Sequence, residues 1–299
     1  MSAIKTVAVA GATGNIGKPI LNQLIEDGFK VTALTRKGTS HTFPPSVTVA
    51  EVDYESPESL VKALQGQDAV VSAVGFNGLP LQLPLIDAAV KAGVKRFLPS
   101  EYGGDAENAK AAALPIFAPK KQVLDALTAA AAVKGGSLTY TLVSTGPFLD
   151  MALGFGLFVN LREKSATLWN GGDRAFSTTT TTATATAVAQ VLKHPQETRN
   201  RTVRVRSAST TQNKLLAIAK EVLGGEGWTT KVASTEDALK RAHASLETGK
   251  VDRVAFITET IWGEGYGCDF EKVDNELLGV RELSEAEIQG LIEGLTKTK

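Results

Sequence analysis

Apolar positions along the first half of the chain switch repeatedly between two periods. Residues 6–10 form a short apolar run of strand length, and Gly11-Ala-Thr-Gly-Asn-Ile-Gly17 follows at once. Behind it Ile16, Ile20, Leu21, Leu24 and Ile25 recur at helical spacing, which predicts a helix over 18–27. Further strands are predicted at 30–35, 47–51, 68–75, 96–99 and 139–144. Helices are predicted from Ser56-Pro57, over 81–92 up to Gly93, and over 116–132 ahead of Gly135-Gly136. Strands and helices alternate with short connections. The expected architecture is therefore α/β, a doubly wound parallel sheet with helices on both faces.

The character changes after Phe148. Residues 151–158 are apolar, with glycines and two aromatics; such a run reads as core or, directly after a strand's carboxyl end, as the wall of a pocket. Residues 177–187 are nearly all threonine and alanine. Their β-branched side chains suggest a strand that passes into a helix from about Thr184 to Lys193, ended by His194-Pro195. A strand at 202–206, a helix at 210–223 and amphipathic helices near 235–248 and 284–297 complete the pattern. The glycine and aromatic loop 264–270 reads as a pocket rim. This organisation predicts a nucleotide-binding domain over 1–150 and a smaller C-terminal substrate lobe over 151–299. Residues 180–206 are expected to return to the first domain.

A strand, a glycine turn and a helix together hold a pyrophosphate: the backbone approaches where side chains are missing, and the helix-start N–H groups meet the negative charge. Glycines at 11, 14 and 17 depart from the common G-x-G-x-x-G spacing, so the turn alone also reads as an ordinary βα connection. The second strand decides between the two. About 20 residues past the glycines, an NAD site places an acid for the ribose 2′-hydroxyl. Here Arg36-Lys37 offers donors only, a clamp for a 2′-phosphate, which predicts NADPH/NADP+ over NADH. Asp53, after the third strand, reads equally as a partner of the adenine amino group or as a turn cap. Ligands of such sheets lie at the strand carboxyl ends, which nominates Gly75, Ser100-Glu101-Tyr102 and Thr145-Gly146-Pro147-Phe148.

The 32 basic and 32 acidic residues of the 299 cancel, giving no excess that points to nucleic acid or to an anionic membrane surface. No apolar run approaches the ~20 residues of a membrane span, and the N-terminus lacks a signal pattern. With a single cysteine, Cys268, the expected location is the cytoplasm. His41, His194 and His243 lack ligand spacing, so no metal site is expected. None of Tyr54, Tyr102, Tyr140 or Tyr266 has a lysine four residues on, so the Tyr-x-x-x-Lys pair of many hydride-transfer enzymes is absent.

Gly11-Ala-Thr-Gly-Asn-Ile-Gly17, Thr35-Arg36-Lys37 and Lys95-Arg-Phe-Leu-Pro-Ser-Glu-Tyr-Gly103 together resemble the isoflavone reductase and phenylcoumaran benzylic ether reductase group. This group is an atypical short-chain dehydrogenase family with a Rossmann-type fold, and it overlaps the NmrA-like proteins. The likeness covers the first half well and the rest loosely, and its flavour is fungal. Phe117-Ala-Pro-Lys120-Lys-Gln-Val resembles the segment that carries the group's catalytic lysine, and Thr141-Leu-Val-Ser-Thr-Gly-Pro-Phe148 resembles its nicotinamide-side turn. The resemblance implies NADPH-dependent reduction in which Lys120 works without a tyrosine, stabilising or protonating an oxygen as hydride arrives. Burial in an apolar cleft would lower its pKa and help that transfer. Lys121 takes this role if the alignment slips by one.

The cofactor contacts implied are Gly11, Thr13, Gly14, Asn15, Ile16, Gly17, Arg36, Lys37, Asp53, Gly75, Ser100, Tyr102, Lys120, Thr145, Gly146, Pro147 and Phe148. Phe148, Leu149, Phe155, Phe158 and Tyr266 are candidates to enclose a small apolar or aromatic metabolite, as a ketone, a conjugated alkene or a benzylic ether. Two other classes compete: an NmrA-like NADP(H)-sensing regulator without catalysis, and an isomerase or cyclase on the same scaffold. The sequence leaves the oligomeric state open.

Overall fold

The computed structural model describes residues 3–249 and 251–297. Its strands are β1 (Thr6–Ala10), β2 (Lys30–Arg36), β3 (Thr48–Val52), β4 (Ala69–Ser72), β5 (Arg96–Leu98), β6 (Thr139–Ser144), β7 (Ser165–Trp169), β8 (Phe176–Thr178), β9 (Arg201–Arg204), β10 (Ala208–Thr210) and β11 (Thr229–Ala233). Its helices are α1 (Gly17–Glu26), α2 (Pro57–Leu64), α3 (Gln82–Lys91), α4 (Ala109–Ala112), α5 (Ala118–Ala131), α6 (Leu149–Gly154), α7 (Thr181–Lys193), α8 (Gln212–Leu223), α9 (Thr235–Leu246), α10 (Arg253–Trp262) and α11 (Glu285–Lys297). None of the described helices is long and apolar enough to cross a membrane.

Seven parallel strands run in the order β3-β2-β1-β4-β5-β6-β9, the Rossmann-type sheet. Val9 sits between Ala33 of β2 and Val71 of β4. Strand order reverses at this point, and a crevice opens beyond the carboxyl ends. Apolar side chains bury both faces of the sheet. Ile20 and Leu24 of α1 join Val188 and Leu192 of α7 against Val9 and Val71. On the other face Leu60, Leu64, Leu85, Val123 and Leu127 cover Ala8, Val70 and Phe97. A further core lies in the distal part of the chain. There Phe158, Phe176 and Trp262 meet ring to ring, with centroids 4.9 to 6.0 Å apart.

Besides the short elements β7, β10, β11 and α4, which the sequence does not signal, two segments depart from the expectation. The threonine tract is helical from Thr181, and only Phe176–Thr178 is strand. Local hydrogen bonds override β-propensity here. Thr180 caps α7 by accepting from the Ala183 N–H, and the Asp150 carboxylate accepts from the Thr181 N–H and hydroxyl. Several neighbouring hydroxyls have their own partners. Thr178 donates to the Pro147 carbonyl, Thr179 to those of Thr145 and Val205, and Thr184 back to that of Thr180. The second departure is α10, for which no helix is expected. Seven of its ten residues are buried, so it lacks the amphipathic stripe that betrays a surface helix. Asp252 caps it by accepting from the Ala255 N–H at 3.1 Å.

Candidate active site

The glycine turn closes on itself through the Gly14 N–H donating to the Gly11 carbonyl at 3.0 Å. Gly11 has φ +79°, and a Cβ there would lie 2.6 Å from the Ala73 carbonyl oxygen. A Cβ at Gly17 would lie 2.0 Å from the Gly11 oxygen, so both positions exclude any side chain. Helix α1 starts here with no side-chain cap and no acid in its first turn. The Lys18 N–H donates to the Gly14 carbonyl at 3.0 Å and Pro19 has none, so the helix start offers an anion the N–H groups of Ile16 and Gly17.

Beyond the turn lies a cleft of about 400 Å³, walled by residues 11–14, Arg36, Thr39, His41, Tyr54, residues 75–78 and Arg253. No aspartate or glutamate lines it. Arg36 is on the wall. Lys37 is exposed, its N–H held by the Val52 carbonyl at 2.9 Å, and it is not part of the lining. Asp53 closes a turn: its carboxylate accepts from the Glu55 N–H at 3.0 Å, and the neighbouring Tyr54 takes the place at the cleft. Burial raises the Tyr54 phenol pKa, and the nearby Arg36 charge offsets part of that rise.

The cleft runs on, through shared walls at Gly14 and residues 73–76, into a second chamber of about 290 Å³. Asn15, Ile16, Leu79, Ser100, Glu101, Tyr102, Lys120, Phe148 and Met151 complete that chamber. Ser100 is held by both its groups, with the N–H donating to Gln82 Oε1 and Oγ to the Val74 carbonyl, each at 2.8 Å. Lys120, in the first turn of α5, donates through Nζ to the Glu101 carbonyl and, at 3.1 Å, to Glu101 Oε1. The apolar surroundings expected for this lysine are thus interrupted by a carboxylate. Burial raises the Glu101 pKa, and the Lys120 ammonium counters part of the rise. The Tyr102 hydroxyl is buried without a hydrogen-bond partner, and burial raises its pKa.

Thr145 and Gly146 lie behind this wall. Their N–H groups donate to the Gly103 carbonyl at 2.9 and 2.8 Å, fixing the loop that carries Ser100 to Tyr102. Gly146 has φ +62°, and a Cβ there would meet the Ser177 oxygen at 1.9 Å. The Pro147 carbonyl is taken by the Thr178 hydroxyl. Of the five residues expected to enclose substrate, Phe148 alone lines the chamber. Leu149 and Phe158 are buried in the distal core, and Phe155 is 74% exposed. Helical spacing explains this: Phe148 and Met151, three apart, face the chamber, while Leu149, Ala152 and Leu153 turn inward. Tyr266 lines a smaller pocket of about 70 Å³ with Phe117, Leu124 and Thr260, which Glu101 and Lys120 also border. Lys121 reaches this smaller pocket and pairs with Asp125 at 2.6 Å. Sequence reasoning missed Glu101 as the partner of Lys120, and it missed Arg253 and Phe76; Met151 opens the apolar run 151–158 that it read as core or pocket wall. No local motif ties these residues to the glycine turn.

Residues 3–248 match the model of the NmrA-like family. The chain is 35% identical over 298 residues to the oxidoreductase aprR of Aspergillus flavus, covering 96% of this chain and 99% of that one. It is 34% identical over 186 residues to phenylcoumaran benzylic ether reductase TP7 of Nicotiana tabacum, covering 56% of this chain and 58% of the relative. Among solved structures, AtPrR2 with NADP+ and (+)pinoresinol shares the fold at a TM-score of 0.76 and 24% identity, with 99% of this chain and 98% of that chain covered.

Proposed function

The chain belongs to the NmrA-like family and is an oxidoreductase; we propose that it transfers hydride from NADPH to a small apolar or aromatic metabolite bearing a ketone, a conjugated alkene or a benzylic ether. The observation that carries this reading is one continuous cleft. It begins at a side-chain-free turn, passes an arginine on a wall that no acid lines, and ends at a lysine paired with Glu101 beside apolar side chains. The residues fit the group: the glycine turn and α1 N–H groups suit a pyrophosphate, and Arg36 suits a 2′-phosphate.

When bound, NADPH supplies the hydride. The protein's own part is positional and electrostatic. Phe76, Leu79, Phe148 and Met151 form apolar walls that exclude water around the acceptor. Glu101 engages two of the three Lys120 N–H donors and fixes the ammonium at the chamber edge. The third donor is left to hold a proton against an acceptor oxygen as that oxygen gains charge. Relatives with related names support the reaction class, and the (+)pinoresinol bound in AtPrR2 supports an aromatic substrate.

The test is fluorescence titration with NADPH and NADH, followed by NADPH oxidation against a panel of aromatic ketones, enones and benzylic ethers. NADPH preference with turnover on one class supports the proposal. Tight NADPH binding with no turnover across the panel moves the assignment to a nucleotide-sensing regulator.

A further inference from the structure

We propose that Arg253 is a phosphate-binding residue of the dinucleotide cleft, delivered by α10 so that cofactor occupancy fixes that helix. The inference rests on the NADP(H) reading above and deepens it. Arg253 belongs to the distal part of the chain, yet its side chain crosses to the sheet. Its guanidinium carbon lies 4.6 Å from the centroid of the Phe76 ring, and Nη2 donates to Asn77 Oδ1 at 2.9 Å. Both contacts are in the turn after β4 that walls the nucleotide cleft.

The contact with the ring and the bond to Asn77 position the guanidinium, and one of its five N–H donors is spent on Asn77. Its partners among the described residues are Asn77 and the Phe76 ring, with no carboxylate among them, and none lines the cleft that it shares with Arg36 and His41. A fixed cationic fork in an acid-free groove suits a phosphate. Two phosphate groups of the cofactor share that chemistry, the pyrophosphate and the 2′-phosphate.

The rest of α10 is anchored. Phe256, Ile261 and Trp262 are buried, so the helix moves together with the aromatic core. It spans about 15 Å, and Thr260 near its far end lines the small pocket that Lys120 borders. Phosphate captured at one end therefore restrains the wall beside the lysine at the other.

The experiment compares wild type with Arg253→Ala and Arg253→Lys. Kd for NADPH and for NADH is measured at one ionic strength, thermal midpoints without nucleotide serve as the folding control, and hydrogen exchange of residues 253–262 is followed with and without NADPH. Arg253 is exposed, so midpoints are expected to stay unchanged. Kd is expected to rise about tenfold in the alanine variant and less in the lysine variant. A loss for both nucleotides assigns the pyrophosphate; a loss for NADPH alone assigns the 2′-phosphate. NADPH is expected to protect α10 in wild type and not in the alanine variant. Wild-type binding with both variants unchanged overturns this inference alone, and equal protection in the alanine variant overturns the coupling. A wild-type chain that binds neither nucleotide overturns the dinucleotide reading and this inference with it.

Discussion

The two ends of the cleft are built by opposite means. At the nucleotide end seven consecutive residues make the site from backbone, and the requirement is that nothing project from Gly11 or Gly17. At the other end Glu101 from the loop after β5, Lys120 from α5 and the Phe148–Met151 pair of α6 come together, and the requirement is a charge pair, with side chains 16% and 10% exposed, held beside apolar walls. One end tolerates no added methyl and the other no lost charge. Binding and chemistry are therefore separable by mutation, although they share one crevice.

The sharpest way to break that contrast is at the glycine end. Gly17→Ala places a methyl 2.0 Å from a backbone oxygen, which must move. A cost of ~3 kcal/mol corresponds to about a hundredfold loss of NADPH affinity, read by titration, with a lowered thermal midpoint. Retained affinity would remove the close-approach argument.

Next is Lys120→Ala, which is expected to lower kcat by about 10²-fold or more with NADPH affinity within a few-fold of wild type. The same change strands the Glu101 carboxylate and is expected to cost ~3 kcal/mol in urea unfolding. Adding Glu101→Gln should restore much of the stability and none of the turnover. Recovery of turnover would show that the lysine acts only through packing.

Arg36→Ala is expected to weaken NADPH binding about tenfold and leave NADH unchanged, so the nucleotide preference falls. An equal loss for both nucleotides would move Arg36 away from the 2′-phosphate.

The smallest effect concerns pH. Burial raises the folded-state pKa of Glu101, so its folded form holds a proton more readily than the unfolded chain does. Its contribution to stability is present below the ordinary carboxylate pKa and is lost as pH rises through the raised folded value. Urea unfolding of wild type and Glu101→Gln should therefore differ in slope between acidic and neutral pH, with wild type losing more stability as pH rises. Parallel profiles would mean that Lys120 fully offsets the burial.

Legibility in the sequence followed the same divide. The strand, turn and helix from Thr6 to Glu26 are contiguous, and Arg36 sits at a fixed offset from them, so spacing alone nominated the turn and arginine that wall the proposed nucleotide cleft. Lys120 was reached through family resemblance, because a lone lysine in a helix carries no local signature. Side-chain direction was out of reach. Arg36 faces the cleft while Lys37 and Asp53 do not, and Phe148 faces the chamber while Leu149, Phe155 and Phe158 do not. Those outcomes depend on where a helix begins and on what packs behind it. Helix α10 was hidden for a related reason, since burial on nearly every side erases the polar stripe.

The threonine tract offers a last lesson, about information. By letter count residues 178–187 are monotonous, and a filter for low complexity would discard them. By position they are specific: Thr179 bridges two carbonyls from different strand ends, Thr180 starts a helix, and Thr186 reaches Gln23 of α1. An alignment that slides one threonine past the next keeps its score and misassigns every one of these partners. In this stretch the message is carried by order, and the alphabet says almost nothing.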